Sequence, residues 1–253
     1  MWDPNTYLIF AQQRTRPFHE MLCRINVAEP RHVVDLGCGP GNVTSALLQR
    51  WPRAKLTALD SSPAMVAAAR AQGIDAQLAD LRHWSPESDT DVVISNSVLH
   101  WAPEHPQLLV KWAAALPSGA WLAVQVPGNF SALSHALPRK LAESPEWQEM
   151  LSDVLLPPNA VLEPNGYADI LADAGCEVDT WETTHLHRLS GRDPVLQWLC
   201  GSVLSRVRAA LDDGCWARFQ SQLAPELRAA YPPRADGTTW LPYRRIFAVA
   251  RII

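Results

Sequence analysis

The chain of 253 residues is 47% hydrophobic and 19% charged, with a formal net charge of -4 and a pI near 6.0. This composition excludes a disordered chain, the length accommodates one α/β core carrying insertions, and the excess of acid removes any bulk electrostatic reason for a nucleic-acid or anionic-membrane partner. Five cysteines without a CxxC pair argue against a disulfide framework or structural zinc, and no eighteen apolar residues stand together as a membrane span.

The opening MWDPNTYLIF lacks a basic stretch followed by an apolar run, so an unsecreted, cytoplasmic protein with reduced thiols is expected. Short runs of β-branched and aliphatic residues at 31–36, 55–59, 91–95 and 120–126 alternate with helically spaced segments, a pattern of parallel strands joined by crossover helices. Ser62 and Pro63 provide an N-cap and first helical position ahead of AMVAAARAQ, which Gly73 closes. A helix between Asn42 and Trp51 stops at Pro52, and another between Pro106 and Leu116 ends at Pro117. Prolines and glycines loosen the pattern over 127–164, which reads as an insertion with weak helical patches rather than a sheet element. Beyond it, GYADILADAG predicts a short helix and CEVDTWETTHLH a strand. The run from Asp193 to Leu211 predicts one capped amphipathic helix, a further helix spans about Trp216 to Tyr231, and the closing RRIFAVARII is strand-like.

The stretch VVDLGCGPGN, residues 33–42, is a glycine turn between a strand and a helix. A dinucleotide fingerprint needs G-x-G-x-x-G, whereas Gly37, Gly39 and Gly41 are followed by Asn42, and no Gly-Lys-Ser/Thr follows as a phosphate loop requires. Asp35 sets a negative charge beside the turn, which repels a pyrophosphate and suits a cationic end. S-adenosylmethionine is such a ligand: a nucleoside with an ammonium, a sulfonium and no phosphate. Asp60, ending KLTALD beside Ser61, is placed to accept both ribose hydroxyls. Asp80, followed by Leu81 at the end of the next strand-like run, is placed to accept from the adenine amino group. Asn96 and Ser97 lie past the fourth strand, at the edge where open parallel sheets bind ligands.

DLGCGPG, LTALD, LADL and VISNSVLHW, in that order, resemble the class I S-adenosylmethionine-dependent methyltransferases over residues 31–126. YLIFAQQRTRPFHEML, LDSSPAMVAAAR, LHWAPEH, VQVPGNF, AGCEVDTWETTHLH and YRRIFAVARII extend the likeness, nearly along the full chain, to the branch of that superfamily whose substrate is trans-aconitate. The resemblance implies a Rossmann-like α/β fold: a seven-stranded, mostly parallel sheet with an antiparallel last strand and helices on both faces. It implies one domain, with residues 1–30 as a helical cover, 31–126 as the cofactor-binding core, and 127–164 and 190–240 as a substrate lid. The implied reaction is methyl transfer from S-adenosylmethionine to one carboxylate of a small tricarboxylate. No metal, nucleic-acid or membrane partner is expected, and the chain is expected as a monomer or weak homodimer. Alternatives are another small carboxylic acid, a quinone-type carbon, or a non-catalytic S-adenosylmethionine-binding module.

A carboxylate nucleophile is ionised at neutral pH and needs no base, so the protein's task is to hold the two carboxylates that do not react. Arginine suits that task because its planar fork pairs with a carboxylate through two hydrogen bonds. The candidates are Arg14 and Arg16 in QQRTRPF, and Arg244 and Arg245 in PYRRIF, of which the strand period turns only one inward. Tyr7, Tyr167 and Tyr243 are lesser candidates; His100 and Trp101, after the fourth strand, are candidates for positioning the reacting groups. Each has a plain rival. An arginine pair on an N-terminal helix is more often a solvated face, Asp35 could simply cap the turn, and His100 could be a packed core residue. His185 and His187, two apart on a strand, lack a third metal ligand nearby and read as structural.

Overall fold

Strand β1 (His32–Leu36) is buried at all five residues, which a parallel strand covered on both faces requires. The computed structural model describes residues 10–253, apart from the side chains of Ala11, Gln12 and Arg14, and divides into two compact units. In chain order the elements are α1 (Ala11–Leu22), β1, α2 (Thr44–Arg50), β2 (Lys55–Asp60), α3 (Pro63–Ala71), β3 (Ala76–Leu78), β4 (Thr90–Asn96), α4 (His105–Ala115) and β5 (Trp121–Pro127). There follow α5 (Leu133–Ala142), α6 (Gln148–Leu151), α7 (Pro164–Asp173), β6 (Cys176–Leu189), α8 (Pro194–Cys200), α9 (Ser205–Ala210), α10 (Asp213–Ala230) and β7 (Thr239–Ile252).

The first unit comprises 11–127, 161–183 and 245–253. Its sheet has the order β3-β2-β1-β4-β5-β7-β6; β1 through β5 pair in parallel, and β7 runs antiparallel to β5. The strand order reverses between β1 and β4, and ligands of such sheets bind at that reversal, beyond the carboxyl ends of the strands. Alternation along the strands feeds two cores. Val34, Leu36, Val93, Leu122 and Val124 pack with Leu109 and Trp112 of α4 and with Leu171 of α7. Their neighbours Val33, Val92, Ile94 and Ala123 pack with Phe18 and Met21 of α1 and with Leu47 of α2. The Ser62 hydroxyl accepts from the Met65 N–H to open α3, and Gly73 takes a positive φ of 82° after its end.

The second unit, 128–160 and 184–244 with Phe10, has its own core, in which Trp147, Trp198, Phe219 and Leu199 are each 1% exposed or less. The Trp147 indole N–H donates to Gln222 Oε1 at 2.7 Å, which satisfies its one polar group inside that core. Three expectations are corrected here. The single helix from Asp193 to Leu211 is two helices, α8 and α9, separated by a turn at 201–204. Gly201 is a poor helix former, and the Ser202 and Ser205 hydroxyls bond locally to the carbonyls of Trp198 and Ser202 at 3.2 and 2.7 Å, competing with the helical ladder. Asp193 does not cap α8: its φ is 51° and its carboxylate is taken by Arg228. The last helix begins earlier than expected, at Asp213, because Asp212 accepts from the Cys215 N–H at 2.7 Å. No helix among the described residues is long and apolar enough to cross a membrane.

Trp112 has no exposed surface and meets Trp84 edge-on at 5.7 Å between ring centroids. Trp112→Ala should cost roughly 3–5 kcal/mol, read as a lowered urea midpoint; a midpoint within error of the parent would show that the cavity closes.

Candidate active site

The turn after β1 is shaped by its glycines. Gly37 has φ +80°, and a Cβ there would lie 2.3 Å from Val98 Cγ2, so neither the conformation nor the space admits a side chain. Gly39 has φ +56° but faces open space, so the exclusion of a side chain leaves bare backbone towards whatever occupies it. The N–H groups of Gly37 and Cys38 donate to the Leu59 carbonyl at 2.8 and 3.0 Å, tying the turn to the end of β2. One residue on, Asp60 accepts from the Gly39 N–H at 2.9 Å on Oδ2 and from the Ser62 N–H at 2.8 Å on Oδ1. Burial pushes the Asp60 carboxyl above its ordinary range, and those two N–H bonds oppose the rise.

Asp35 is 2% exposed and accepts the Thr44 hydroxyl at 2.7 Å. Burial lifts its pKa to about 6, the Thr44 bond works against that, and the neighbouring charge of Asp60 adds to it. Two carboxylates behind the turn form a place where added negative charge is penalised and positive charge relieves both. The turn, its open face at Gly39 and these acids therefore fit a nucleoside with a cationic end.

The other expected cofactor contacts are placed less uniformly. Asp80 caps the 3₁₀ turn Leu81–His83 through the Arg82 N–H at 2.9 Å, and both its oxygens accept from the Arg82 side chain, which holds its carboxyl below the usual range. An adenine amino group would have to share those oxygens with Arg82. Leu81 is buried and Ser61 exposed. Asn96 ends β4, and its Oδ1 is buried with no hydrogen-bond partner among the described residues.

Of the arginine pair on β7, Arg245 is the inward member at 4% exposure. Arg244 is half-buried, and its backbone N–H and carbonyl bond the Asn129 side chain at 2.7 and 2.8 Å. Because β7 is antiparallel to β5, with Arg245 opposite Pro127, the start of β7 lies at the carboxyl end of β5. There Arg245 Nη1 donates to Ser97 Oγ at 3.1 Å, and Ser97 Oγ donates to Gln125 Oε1 at 2.8 Å. In sequence Ser97 is marked only by its place past the fourth strand, and Gln125 only as a lone amide in the apolar run WLAVQVP.

The remaining candidates divide. His100 is buried, its ring 4.6 Å from that of Trp101. Tyr167 is withdrawn from substrate binding: its hydroxyl bonds His105 Nε2 at 2.8 Å, joining α7 to α4, and burial pushes its phenol up. Arg16 is exposed on α1, whose buried residues are Pro17, Phe18, Met21 and Leu22. Tyr7 and the Arg14 side chain lie outside the described residues. Tyr243 belongs to the second unit, 5.2 Å from Trp198 and 6.0 Å from His187 between ring centroids. In the same unit His185 and His187 are both buried, with rings 6.1 Å apart, and burial first and then the Arg139 charge hold His135 down at about 3, uncharged at neutral pH. Among the described residues the group of histidine and acids close enough to share an ion is His32, Glu87 and Asp89, at the other end of β1 from the glycine turn, where Lys55 Nζ already sits 2.7 Å from Glu87.

The sheet order, with its antiparallel penultimate position filled by β7, and the glycine turn define a class I methyltransferase fold. Solved structures agree on the fold: a methyltransferase of Bacillus halodurans superposes with a TM-score of 0.57 at 13% identity, covering 93% of this chain and 98% of that one. A Haemonchus contortus phosphoethanolamine N-methyltransferase in complex with S-adenosyl-L-methionine gives 0.54 at 14% identity, covering 94% of this chain and 52% of that one. The family model described as a methyltransferase domain matches residues 33–119. Curated trans-aconitate 2-methyltransferases are 55% identical in Rhodococcus jostii, with all of both chains covered, and 54% in Mycobacterium marinum, with all of this chain and 96% of that one. The chain belongs to the trans-aconitate 2-methyltransferase family.

The two glycines predict opposite failures. Gly37→Ala must move Val98 and should lower the melting temperature by several degrees; Gly39→Ala meets no atom within 4 Å and should cost about 1–2 kcal/mol through its backbone while abolishing S-adenosylhomocysteine binding. Differential scanning fluorimetry with and without that ligand reads both, and a Gly39→Ala protein that still shifts with ligand would place the site elsewhere.

Proposed function

We propose that this chain is an S-adenosylmethionine-dependent carboxyl O-methyltransferase that forms the monomethyl ester of trans-aconitate. The observation that carries this reading is full-length identity above half with curated trans-aconitate 2-methyltransferases, on a chain whose glycine turn and strand-end acids suit that cofactor. S-adenosylmethionine, when bound, supplies a methyl group on a cationic sulfur. Asp60 is the acceptor for the ribose hydroxyls, keeping its Gly39 and Ser62 bonds on the remaining lone pairs. The negative charge of Asp35 behind the turn favours the cationic end, and the bare backbone at Gly39 allows close approach. Asn96 offers its buried Oδ1 as an acceptor.

With an ordinary carboxylate pKa of about 4 the acceptor arrives ionised, so no side chain is asked to remove a proton. Attack by a carboxylate on a sulfonium neutralises both charges, so strong stabilisation of the separated ions would slow it. The protein's contribution is alignment, which with the reacting atoms about 3 Å apart can be worth roughly 7–11 kcal/mol. Arg245 is the residue for a carboxylate that does not react: buried, fork-shaped and at the ligand edge of the sheet.

Purified protein with methyl-labelled cofactor should transfer label to trans-aconitate as a base-labile ester and not to monocarboxylates; label on a carbon acceptor, or on none, ends the proposal. Asp60→Ala should weaken S-adenosylhomocysteine binding at least about tenfold, or 1.4 kcal/mol, in calorimetry. Because the Asp35 pKa is raised to about 6, the carboxyl is partly protonated near that pH, and a cationic ligand must expel the proton. S-adenosylmethionine affinity should therefore fall as pH drops through 6, with proton release on binding at pH 6 and none at pH 8 when two buffers of different ionisation heat are compared. An affinity flat from pH 5 to 8 would remove Asp35 from the cationic end.

A further inference from the structure

We propose that Ser97 is a positioning residue for the substrate, aiming the Arg245 guanidinium at a carboxylate that does not react, and that Gln125 both orients Ser97 and offers its amide N–H to that carboxylate. This inference rests on the tricarboxylate reading above. Three observations meet at the carboxyl ends of β4 and β5. First, Ser97 has φ 60°, a left-handed conformation uncommon for a residue with a Cβ and found where something over-determines the backbone. Its N–H donates to the Gln125 carbonyl at 2.8 Å, holding that conformation against β5. Second, its hydroxyl bridges Arg245 Nη1 at 3.1 Å and Gln125 Oε1 at 2.8 Å. A guanidinium can only donate, so Ser97 Oγ accepts from Arg245 and spends its own proton on Gln125. With Oε1 accepting there, Nε2 turns away from Ser97. Third, Gln125 is 0% exposed, and its Nε2 has no hydrogen-bond partner among the described residues.

A buried amide donor left without an acceptor is costly, and a sequence with no use for it would place an apolar residue in an otherwise apolar strand. A substrate carboxylate fits both ends of the array. Its oxygens take the Arg245 fork, whose rotamer the Ser97 hydroxyl restrains, and the amide gains the acceptor it lacks. The relay also gives serine a use at a left-handed position, where glycine would fit with less strain but would leave Arg245 and Gln125 unjoined.

That last point supplies the test. Ser97→Gly relaxes the backbone and removes the hydroxyl, so a purely structural role predicts unchanged or better binding. The positioning role predicts a melting temperature equal to or above the parent's, an S-adenosylhomocysteine Kd within twofold, and a trans-aconitate Kd, measured calorimetrically on the S-adenosylhomocysteine complex, raised about tenfold. Gln125→Met, similar in length but without the amide, should do the same to the trans-aconitate Kd, with KM rising more than kcat falls. Arg245→Lys keeps the charge but loses the fork, and adding Ser97→Gly to it should weaken binding little further, since Ser97 acts through Arg245. A trans-aconitate Kd within twofold for Ser97→Gly, full multiplication of the Ser97→Gly and Arg245→Lys effects, or parallel loss of both ligands overturns the inference. A parent protein that binds trans-aconitate but makes no ester overturns the esterification reading alone, because the variants' Kd values still score the array. A parent that does not bind it overturns both.

Discussion

The backbone N–H groups of Gly39 and Ser62 meet the two oxygens of Asp60, and the geometry of the candidate cofactor site depends on that pairing. It fixes the glycine turn after β1 to the end of β2, so that a loop of small residues with positive φ has one shape rather than many. The bonds from Gly37 and Cys38 to Leu59 reinforce it. An acid here does two jobs at once. It neutralises the donors that the tight turn would otherwise leave unsatisfied, and it keeps spare lone pairs for a diol. The burial that makes it a good acceptor also raises its pKa, so the protein holds this carboxylate, and Asp35 behind it, in an environment that gains from a cation.

The same logic of strand ends governs the proposed substrate side of the unit. An antiparallel final strand reverses which of its ends reaches the ligand edge of the sheet: β7 arrives there with its beginning, and Arg245 stands opposite Pro127. Had β7 run parallel, the ligand edge would instead meet its last residues. The charge of Arg245 is thereby delivered beside Ser97, just past β4, and Gln125, the lone amide of β5, and the left-handed backbone of Ser97 marks where sheet regularity yields to a polar array. Fold and chemistry meet at that point, where the buried β4 and β5 and the Ser97 N–H bond to the Gln125 carbonyl hold the left-handed turn.

Much of the architecture was legible in residue pattern. The runs beginning at His32, Lys55, Thr90 and Trp121 are strands, Ser62 and Pro63 open a helix, and the glycine turn joined to Asp60 is present, because turn and strand-end chemistry is local in sequence. Errors arose where local pattern met competing local bonds, as at Gly201 and Ser202, which divide an amphipathic run into α8 and α9. Asp193, a good cap by residue type, was taken instead by Arg228, 35 residues away.

By itself, then, the sequence determined the parallel α/β class, the glycine turn after β1 and the order of the acids along the strand ends, because glycine conformations and charge signs are properties of short segments. Tertiary structure alone decided which arginine of the Arg244–Arg245 pair turns inward, that Tyr167 bonds His105, and that Gln125 and Ser97 join Arg245. Most of these outcomes depend on side chains 28 to 148 residues apart meeting in one register, and no local propensity carries that register. It is set by the packing of two buried sheet faces, where a shift of one residue would exchange inward and outward side chains throughout a strand.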